Sequence, residues 1–294
     1  MTVLFSLTAG TEMADRLQAF LEAGAGDLEQ RQFPDGETYL RVATPVVGQD
    51  VLLLCALDRP DPKIPPLLFA AEAARDQGAR SVGLVAPYLP YMRQDAAFRA
   101  GEAVTSRSFA RLLSERFDWL ATVDPHLHRY DGLECVYSIP AIAVSAAGPI
   151  SEWISGNIER PFLIGPDDES RRWIERIAGL AQAPFAVLGK RRSGDFDVSL
   201  DGAGAAIPAG ATPVIVDDIA STASTMVQAV RLLNTVSERA PACIIVHAVF
   251  SGEAYESLLA AGPAAVVSTN TLPHPSNAID VSAELATAVR RLLR

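Results

Sequence analysis

Lysine is nearly absent. The 294-residue chain has two, Lys63 and Lys190, against 23 arginines. A bias of that kind replaces lysine wherever arginine serves equally. A surviving lysine is therefore worth testing for a role that needs a compact ammonium, although the default for either is a solvated surface charge. Cysteine is also scarce. Cys55, Cys135 and Cys243 are odd in number, far apart and set in apolar surroundings, which excludes a disulfide framework and a CxxC metal site and predicts buried thiols in a reducing cytoplasm. No apolar run reaches the ~18 residues of a membrane span. Cations are outnumbered, 25 Lys+Arg to 35 Asp+Glu, for a net charge of −10 and a pI near 4.9. That balance argues against broad nucleic-acid or membrane-surface binding and leaves an anionic ligand needing a local basic pocket. Gly-Lys-Ser/Thr does not occur, so there is no Walker A loop.

What is present is the composition of a folded chain, 49% apolar and 20% charged, long enough for about two domains. The opening MTVLFSLTAGTE has no cationic leader and reads as a first strand rather than a signal peptide. Short β-branched runs at 3–7, 51–56, 81–86, 119–123, 162–164, 185–188, 214–216, 243–249 and 264–267 read as buried strands. Amphipathic stretches at 11–23, 65–77, 105–116, 169–180, 224–237 and 254–261 read as helices between them. Such alternation predicts an α/β fold with mostly parallel sheets. The small-residue segment around 140–149 suggests a domain boundary, giving domains at 1–146 and 147–280. Residues 281–294 read as a helix whose arginine-rich end suits its dipole, and GAGAAIPAG at 202–210 reads as a mobile loop tip.

Ligands of open α/β sheets sit beyond the carboxyl ends of the strands, so the polar residues after each apolar run are the candidates. VIVDDIASTAST, 214–225, ends a strand with Asp217 and Asp218, then turns through Ser221, Thr222 and Ala223 into a helix beginning near Ser224 and Thr225. Carboxylates accept hydrogen bonds from sugar hydroxyls or hold Mg²⁺, and a helix N-terminus with added hydroxyls binds phosphate. Together they describe a sugar-phosphate site, while the plainer reading is a capped strand-to-helix turn. FPDGETYLR, 33–41, is a strong turn signal and by itself a β-hairpin. PYLPYMRQDAAFR, 87–99, places Arg93 and Gln94 at a carboxyl edge, as a nucleotide contact or an irregular surface loop. TVDPHLHR brings Asp124, His126 and His128 after another strand, as alternate histidines able to bind metal or, the commoner case, a single hydrogen-bonded loop histidine. Asp167 lies in GPDDES, a helix cap or a Mg²⁺ or sugar ligand. LGKRRS carries Lys190 and Arg192 within a stretch, 171–192, that holds six basic residues and one acid; a cation cluster on a loop suits a transferring phosphoryl group, and the plainer reading is a solvated basic loop.

In their order and spacing, FPDGETYLR, PYLPYMRQD, TVDPH, GPD, GKRR and VIVDDIAST resemble the ribose-phosphate diphosphokinases (PRPP synthetases), nearest their shorter archaeal-like branch. The resemblance runs from about Phe33 to Thr225. It implies two phosphoribosyltransferase-type α/β domains, each a mostly parallel sheet flanked by helices, with the C-terminal helix 281–294 returning to the first. It implies transfer of the diphosphoryl group of ATP to the 1-hydroxyl of ribose 5-phosphate, giving PRPP and AMP. By motif match, Asp217, Asp218, Ser221, Thr222, Ala223, Ser224 and Thr225 would hold ribose 5-phosphate. Phe33, Asp35 and Glu37 would grip the adenine end across a subunit interface of a homo-oligomer, with Arg93 and Gln94 on the nucleotide. His126 and Asp167 would serve Mg²⁺, and Lys190 and Arg192 would stabilise the transition state from a loop that closes over ATP.

Two departures stand out. STAST replaces the family's glycine-rich DTGGT or STGGT turn, so that a Cβ at Ala223 threatens close approach to phosphate or a positive φ. Ala96 and Ala97 follow RQD where many relatives carry basic residues. The alternative is accordingly a non-catalytic regulatory homologue that binds nucleotide or a partner enzyme. Lys63 gains no support from the motifs and is expected at the surface.

Overall fold

The computed structural model describes residues 1–7, 12–127, 129–167, 170–190, 198–199 and 207–294, with backbone alone at 189, 190, 198 and 199. Arg192, His128 and most of segment 202–210 lie outside the described residues. The chain divides into two compact units, Met1–Ser145 with Val281–Arg294, and Ala146–Asp280.

In the first unit, β1 (Thr2–Ser6), α1 (Glu12–Leu21) and β2 (Gly24–Ala25) precede a hairpin of β3 (Leu28–Gln32) and β4 (Thr38–Val42). Then follow β5 (Asp50–Leu54), α2 (Ile64–Asp76), β6 (Ser81–Ala86), α3 (Thr105–Ser114), β7 (Trp119–Val123) and β8 (Ala141–Val144). Six strands form one sheet in the order β2-β1-β5-β6-β7-β8, every neighbouring pair parallel. Helices cover a parallel sheet on both faces, so its strands are largely apolar, and all five residues of β5 are buried, Asp50 at its start included. Phe5, Leu53, Leu84 and Leu120 are fully buried members of this core, each worth about 1.5–3 kcal/mol of transfer free energy. A glycine in the middle of β6 has a packing cause. Gly83 faces Trp119 across the ladder, and a Cβ there would lie 2.0 Å from the indole. The C-terminal helix α8 (Ser282–Leu292) belongs to this unit. It packs on α1, where Arg290 donates to the Phe20 carbonyl.

The second unit runs α4 (Ala147–Asn157), β9 (Pro161–Gly165), α5 (Arg171–Ala181), β10 (Phe185–Val187), a ribbon of β11 (Gly189–Lys190) with β12 (Val198–Ser199), and β13 (Thr212–Ala220). It continues with α6 (Ser224–Val236), β14 (Ala242–Ala248), α7 (Ala254–Ala260), β15 (Ala265–Thr269) and β16 (Asn277–Ile279). Its main sheet has the order β10-β9-β13-β14-β15-β16, again parallel throughout. In each unit the order reverses once, between β1 and β5 and between β9 and β13. Those crevices are topological switch points, where open α/β sheets bind ligands.

Several expectations need correction. The strand predicted at 214–216 is nine residues long, because the ladder to β14 continues through Asp217 and past it to Ala220. Segment 140–149, where a domain boundary is expected, contains β8 and the start of α4, and the two compact units divide between Ser145 and Ala146. Cys135 is exposed, unlike Cys55 and Cys243: it closes a short turn, Leu133–Cys135, that buries Leu133 instead. Lys63 is not a plain surface charge. It is half-buried, paired with Asp58, and donates to the Ala56 carbonyl just past β5. Among the described residues no helix is long and apolar enough to cross a membrane.

Candidate active site

Most candidates fall into two groups, one at the carboxyl edge of each six-stranded sheet, while Phe33, Asp35 and Glu37 stand apart on the β3–β4 hairpin. In the second unit, β9 ends at Gly165 and delivers Asp167, while β13 beside it delivers Asp217 and Asp218. All three carboxylates thus meet at the switch point. Burial first, then the nearby charges of Asp218 and Asp167, push the Asp217 carboxyl well above the usual carboxylate range. Its Oδ1 accepts the Asp218 backbone N–H at 3.0 Å, which works the other way. Asp167 also shapes the turn that follows it. Its Oδ1 accepts the Ser170 N–H at 3.1 Å, and its carbonyl accepts the Ser170 hydroxyl at 2.6 Å, leading the chain into α5. Gly165 makes room for that turn, since a Cβ there would lie 2.3 Å from Ser170 Oγ.

After β13 the chain turns through Ser221, Thr222 and Ala223 into α6. Ala223 sits at φ 54°, ψ 11°, the left-handed region that favours glycine. Its methyl nevertheless does not face the turn's open side, because it is buried in the hydrophobic core of this unit. Thr222 and Ser224 are exposed, their hydroxyls 3.2 Å apart. The Ser221 carbonyl accepts the Ser251 N–H at 3.1 Å, tying the turn to the loop after β14. The turn therefore offers hydroxyls and the first N–H groups of a 13-residue helix, a geometry suited to phosphate. The basic cluster divides: Arg171, Arg172 and Arg176 lie exposed on α5, while Lys190 continues from β10 into β11, opposite Val198.

In the first unit, β6 leads into the Pro87–Arg99 segment. It is not an irregular surface loop. Tyr88, Leu89 and Met92 are buried, leaving Arg93 exposed and Gln94 half-exposed. Tyr91 takes φ +63° with its ring against Phe109 at 4.8 Å and its hydroxyl donated to Asp61. Burial and then Asp61 raise that phenol to about 12. The next strand, β7, leads to Asp124 and the half-buried His126. The two loops are joined where the Val123 N–H donates to the Pro87 carbonyl at 3.3 Å, so Arg93, Gln94 and His126 stand on neighbouring loops of one edge.

Phe33, Asp35 and Glu37 occupy the tip of the β3–β4 hairpin, all exposed. The tip is closed by Phe33 N–H to the Glu37 carbonyl at 2.8 Å and Gly36 N–H to the Phe33 carbonyl at 2.9 Å, with Gly36 at φ +91°. The Arg31 guanidinium lies 4.8 Å from the Phe33 ring centre and 4.1 Å from that of Tyr39. His126 belongs to the first unit and Asp167 to the second. Among the described residues no three His, Cys, Asp or Glu side chains form a ready metal cage. Two groups were missed in the sequence: the Tyr91–Asp61 contact, and the Asp95–Arg129 pair beside Gln94. Both join residues distant in the chain, and no local pattern marks them.

Two parallel α/β units with polar loops at their carboxyl edges, one carrying a strand, acid pair, hydroxyl turn and helix in succession at its switch point, define a phosphoribosyltransferase-type protein of two domains. Comparison with known proteins makes this specific. Residues 2–116 match the N-terminal domain of ribose phosphate pyrophosphokinase, and residues 133–284 match the phosphoribosyl transferase domain. A ribose-phosphate pyrophosphokinase of Methanopyrus kandleri is 31% identical over 292 residues, covering 99% of each chain. One of Sulfolobus acidocaldarius is 30% identical, over 97% of this chain and 99% of its own. The crystal structure of phosphoribosylpyrophosphate synthetase from Mycobacterium smegmatis superposes with a TM-score of 0.87 at 26% identity, over 99% of this chain and 98% of that one. The chain belongs to the ribose-phosphate pyrophosphokinase family of enzymes.

Proposed function

We propose that the chain transfers the diphosphoryl group of ATP to the 1-hydroxyl of ribose 5-phosphate, giving PRPP and AMP. The observation that carries this reading is the β13–α6 connection: a buried-edge acid pair, then a hydroxyl-lined turn, then a helix N-terminus. Asp217 and Asp218 accept hydrogen bonds from the ribose hydroxyls. Ser221, Thr222, Ser224 and Thr225, with the N–H groups entering α6, hold the 5-phosphate, and Ala223 supports the turn from the core side. Held at both ends, the sugar is oriented for attack by its 1-oxygen on the β-phosphorus as the bond to the AMP oxygen breaks. Arg93 and Gln94 hold the nucleotide, Phe33, Asp35 and Glu37 grip the adenine end, and Lys190 with Arg192 neutralises charge on the transferring group.

The acid group fits a divalent cation. Burial, and then the neighbouring carboxylates of Asp218 and Asp167, make Asp217 resist ionisation, and hard oxygen donors suit Mg²⁺ completed by substrate phosphates rather than a full protein cage. Asp167 would hold such a cation in the second unit and His126 would hold one in the first, where it would neutralise phosphate charge. The two units act as the two domains of the enzyme, in a cytoplasmic homo-oligomer. The regulatory alternative drew on the STAST turn and on Ala96 and Ala97, and the burial of the Ala223 methyl in the core removes one of those grounds. The test is to mix the chain with Mg²⁺, ATP and ribose 5-phosphate. AMP and PRPP are expected in equal amounts, and absence of AMP at high enzyme concentration would overturn the reading.

A further inference from the structure

Residues Ala96 and Ala97 carry no charge into the segment after Gln94, yet the backbone there is closely held. Asp95 is buried, its side chain 3% exposed, and its Oδ1 accepts Arg129 Nη1 at 2.7 Å. The Arg129 side chain is 52% exposed, with its guanidinium 5.0 Å from the centre of the Phe98 ring. Tyr130, the next residue, donates its hydroxyl to the Asp95 carbonyl at 3.1 Å and lies 3.1 Å from Ser106 Oγ. Ser106 in turn donates its N–H to the Gln94 carbonyl at 3.3 Å.

We propose that Arg129 and Asp95 are positioning residues for nucleotide binding, a pair that holds the Arg93–Gln94 loop against the His126 loop. The inference rests on the assignment of Arg93 and Gln94 to ATP. Asp95 directly follows Gln94, and Arg129 is three residues past His126, so one contact fixes both loops. A buried carboxylate without a partner is costly. Deprived of Arg129, Asp95 turns toward water and draws Gln94 and Arg93 with it. Displacement of a binding group by 1 Å costs up to about a hundredfold in rate. Arginine suits the place because its planar fork reaches the carboxylate while its face stacks on Phe98, a combination lysine does not reproduce. Ribose 5-phosphate is assigned to the other unit, so the pair acts on one substrate.

The test uses the full chain as wild type, Arg129→Gln, Arg129→Lys, Asp95→Asn and the double variant Asp95→Asn/Arg129→Gln. Binding of a methylene analogue of ATP with Mg²⁺ is measured by calorimetry, and turnover is measured with each substrate varied. Each neutral single variant is expected to weaken analogue binding and raise KM for ATP by about tenfold or more, with KM for ribose 5-phosphate within about twofold. The double variant binds no worse than the singles, as expected for residues that act as a unit, and Arg129→Lys recovers part of the loss. Unchanged analogue binding in Arg129→Gln overturns the proposal. So does a parallel rise of both KM values with a lowered melting temperature, which marks a merely structural role. A wild type that binds the analogue but releases no AMP sinks the catalytic reading alone, and the pair is then judged on binding. A wild type that binds no nucleotide sinks both.

Discussion

Ala223 holds a left-handed backbone at φ +54° with its methyl in the core, and three magnitudes decide what its replacement by glycine does. Relief of the left-handed conformation is worth about 1–2 kcal/mol. Against it stand about 0.5–1 kcal/mol of glycine backbone entropy and about 0.8 kcal/mol for a buried methyl. The terms nearly cancel. Ala223→Gly should leave the denaturant midpoint almost unchanged and KM for ribose 5-phosphate within about threefold; a large gain in affinity would show that the methyl obstructs the phosphate. Asp50 has a clearer sign. Hydrogen bonds from Arg80 and Ser81 hold its carboxyl below the ordinary value of 3.8, the Arg80 bond being the largest cause. The folded pKa is lower than the unfolded one, so this stabilisation is complete above 3.8 and disappears as pH falls through the folded value. Asp50→Asn should be less stable than wild type at pH 7, with the gap closing on acidification through that window. A gap independent of pH would contradict the assignment.

Gly83 shows what one residue does to an element. With a Cβ landing 2.0 Å from Trp119 ring atoms, either the indole or the β6–β7 ladder must move. Gly83→Ala should cost about 3 kcal/mol, the upper end for overpacking, and Trp119→Leu in the same chain should recover part of it. Full stability of Gly83→Ala would refute the packing account. Elements differed in how plainly the sequence announced them. β6 and β7 were readable to the residue, because apolar runs coincide with their ladders. β13 was cut short at Val216, since hydrophobicity does not register a ladder that continues through two aspartates. β3, LEQRQ, is almost wholly exposed and shows no apolar alternation. β8 and the start of α4 are so rich in alanine that they read only as a domain boundary. The Pro87–Arg99 segment could be read as an irregular surface loop, yet Tyr88, Leu89 and Met92 pack inward.

At the scale of the whole molecule, the parallel two-unit plan was legible because strand and helix runs alternate throughout. The candidate site was legible wherever polar residues follow a strand: Asp167, Asp217, Asp218, Arg93 and His126 all stand at a carboxyl edge. What supports those residues was not legible. Asp95 and Arg129 are 34 residues apart in sequence, and nothing local marks either as a partner. Lys190, singled out because lysine is so rare here, enters a two-residue strand, and Arg192 lies outside the described residues. The central claim is transfer of an intact diphosphoryl group, and the fate of a label on the γ-phosphate of ATP tests it most directly. With ribose 5-phosphate and Mg²⁺ present, the account predicts label in PRPP, one AMP for each, and neither ADP nor free labelled phosphate. Label released as inorganic phosphate, or retained in ATP at high enzyme concentration, would contradict it.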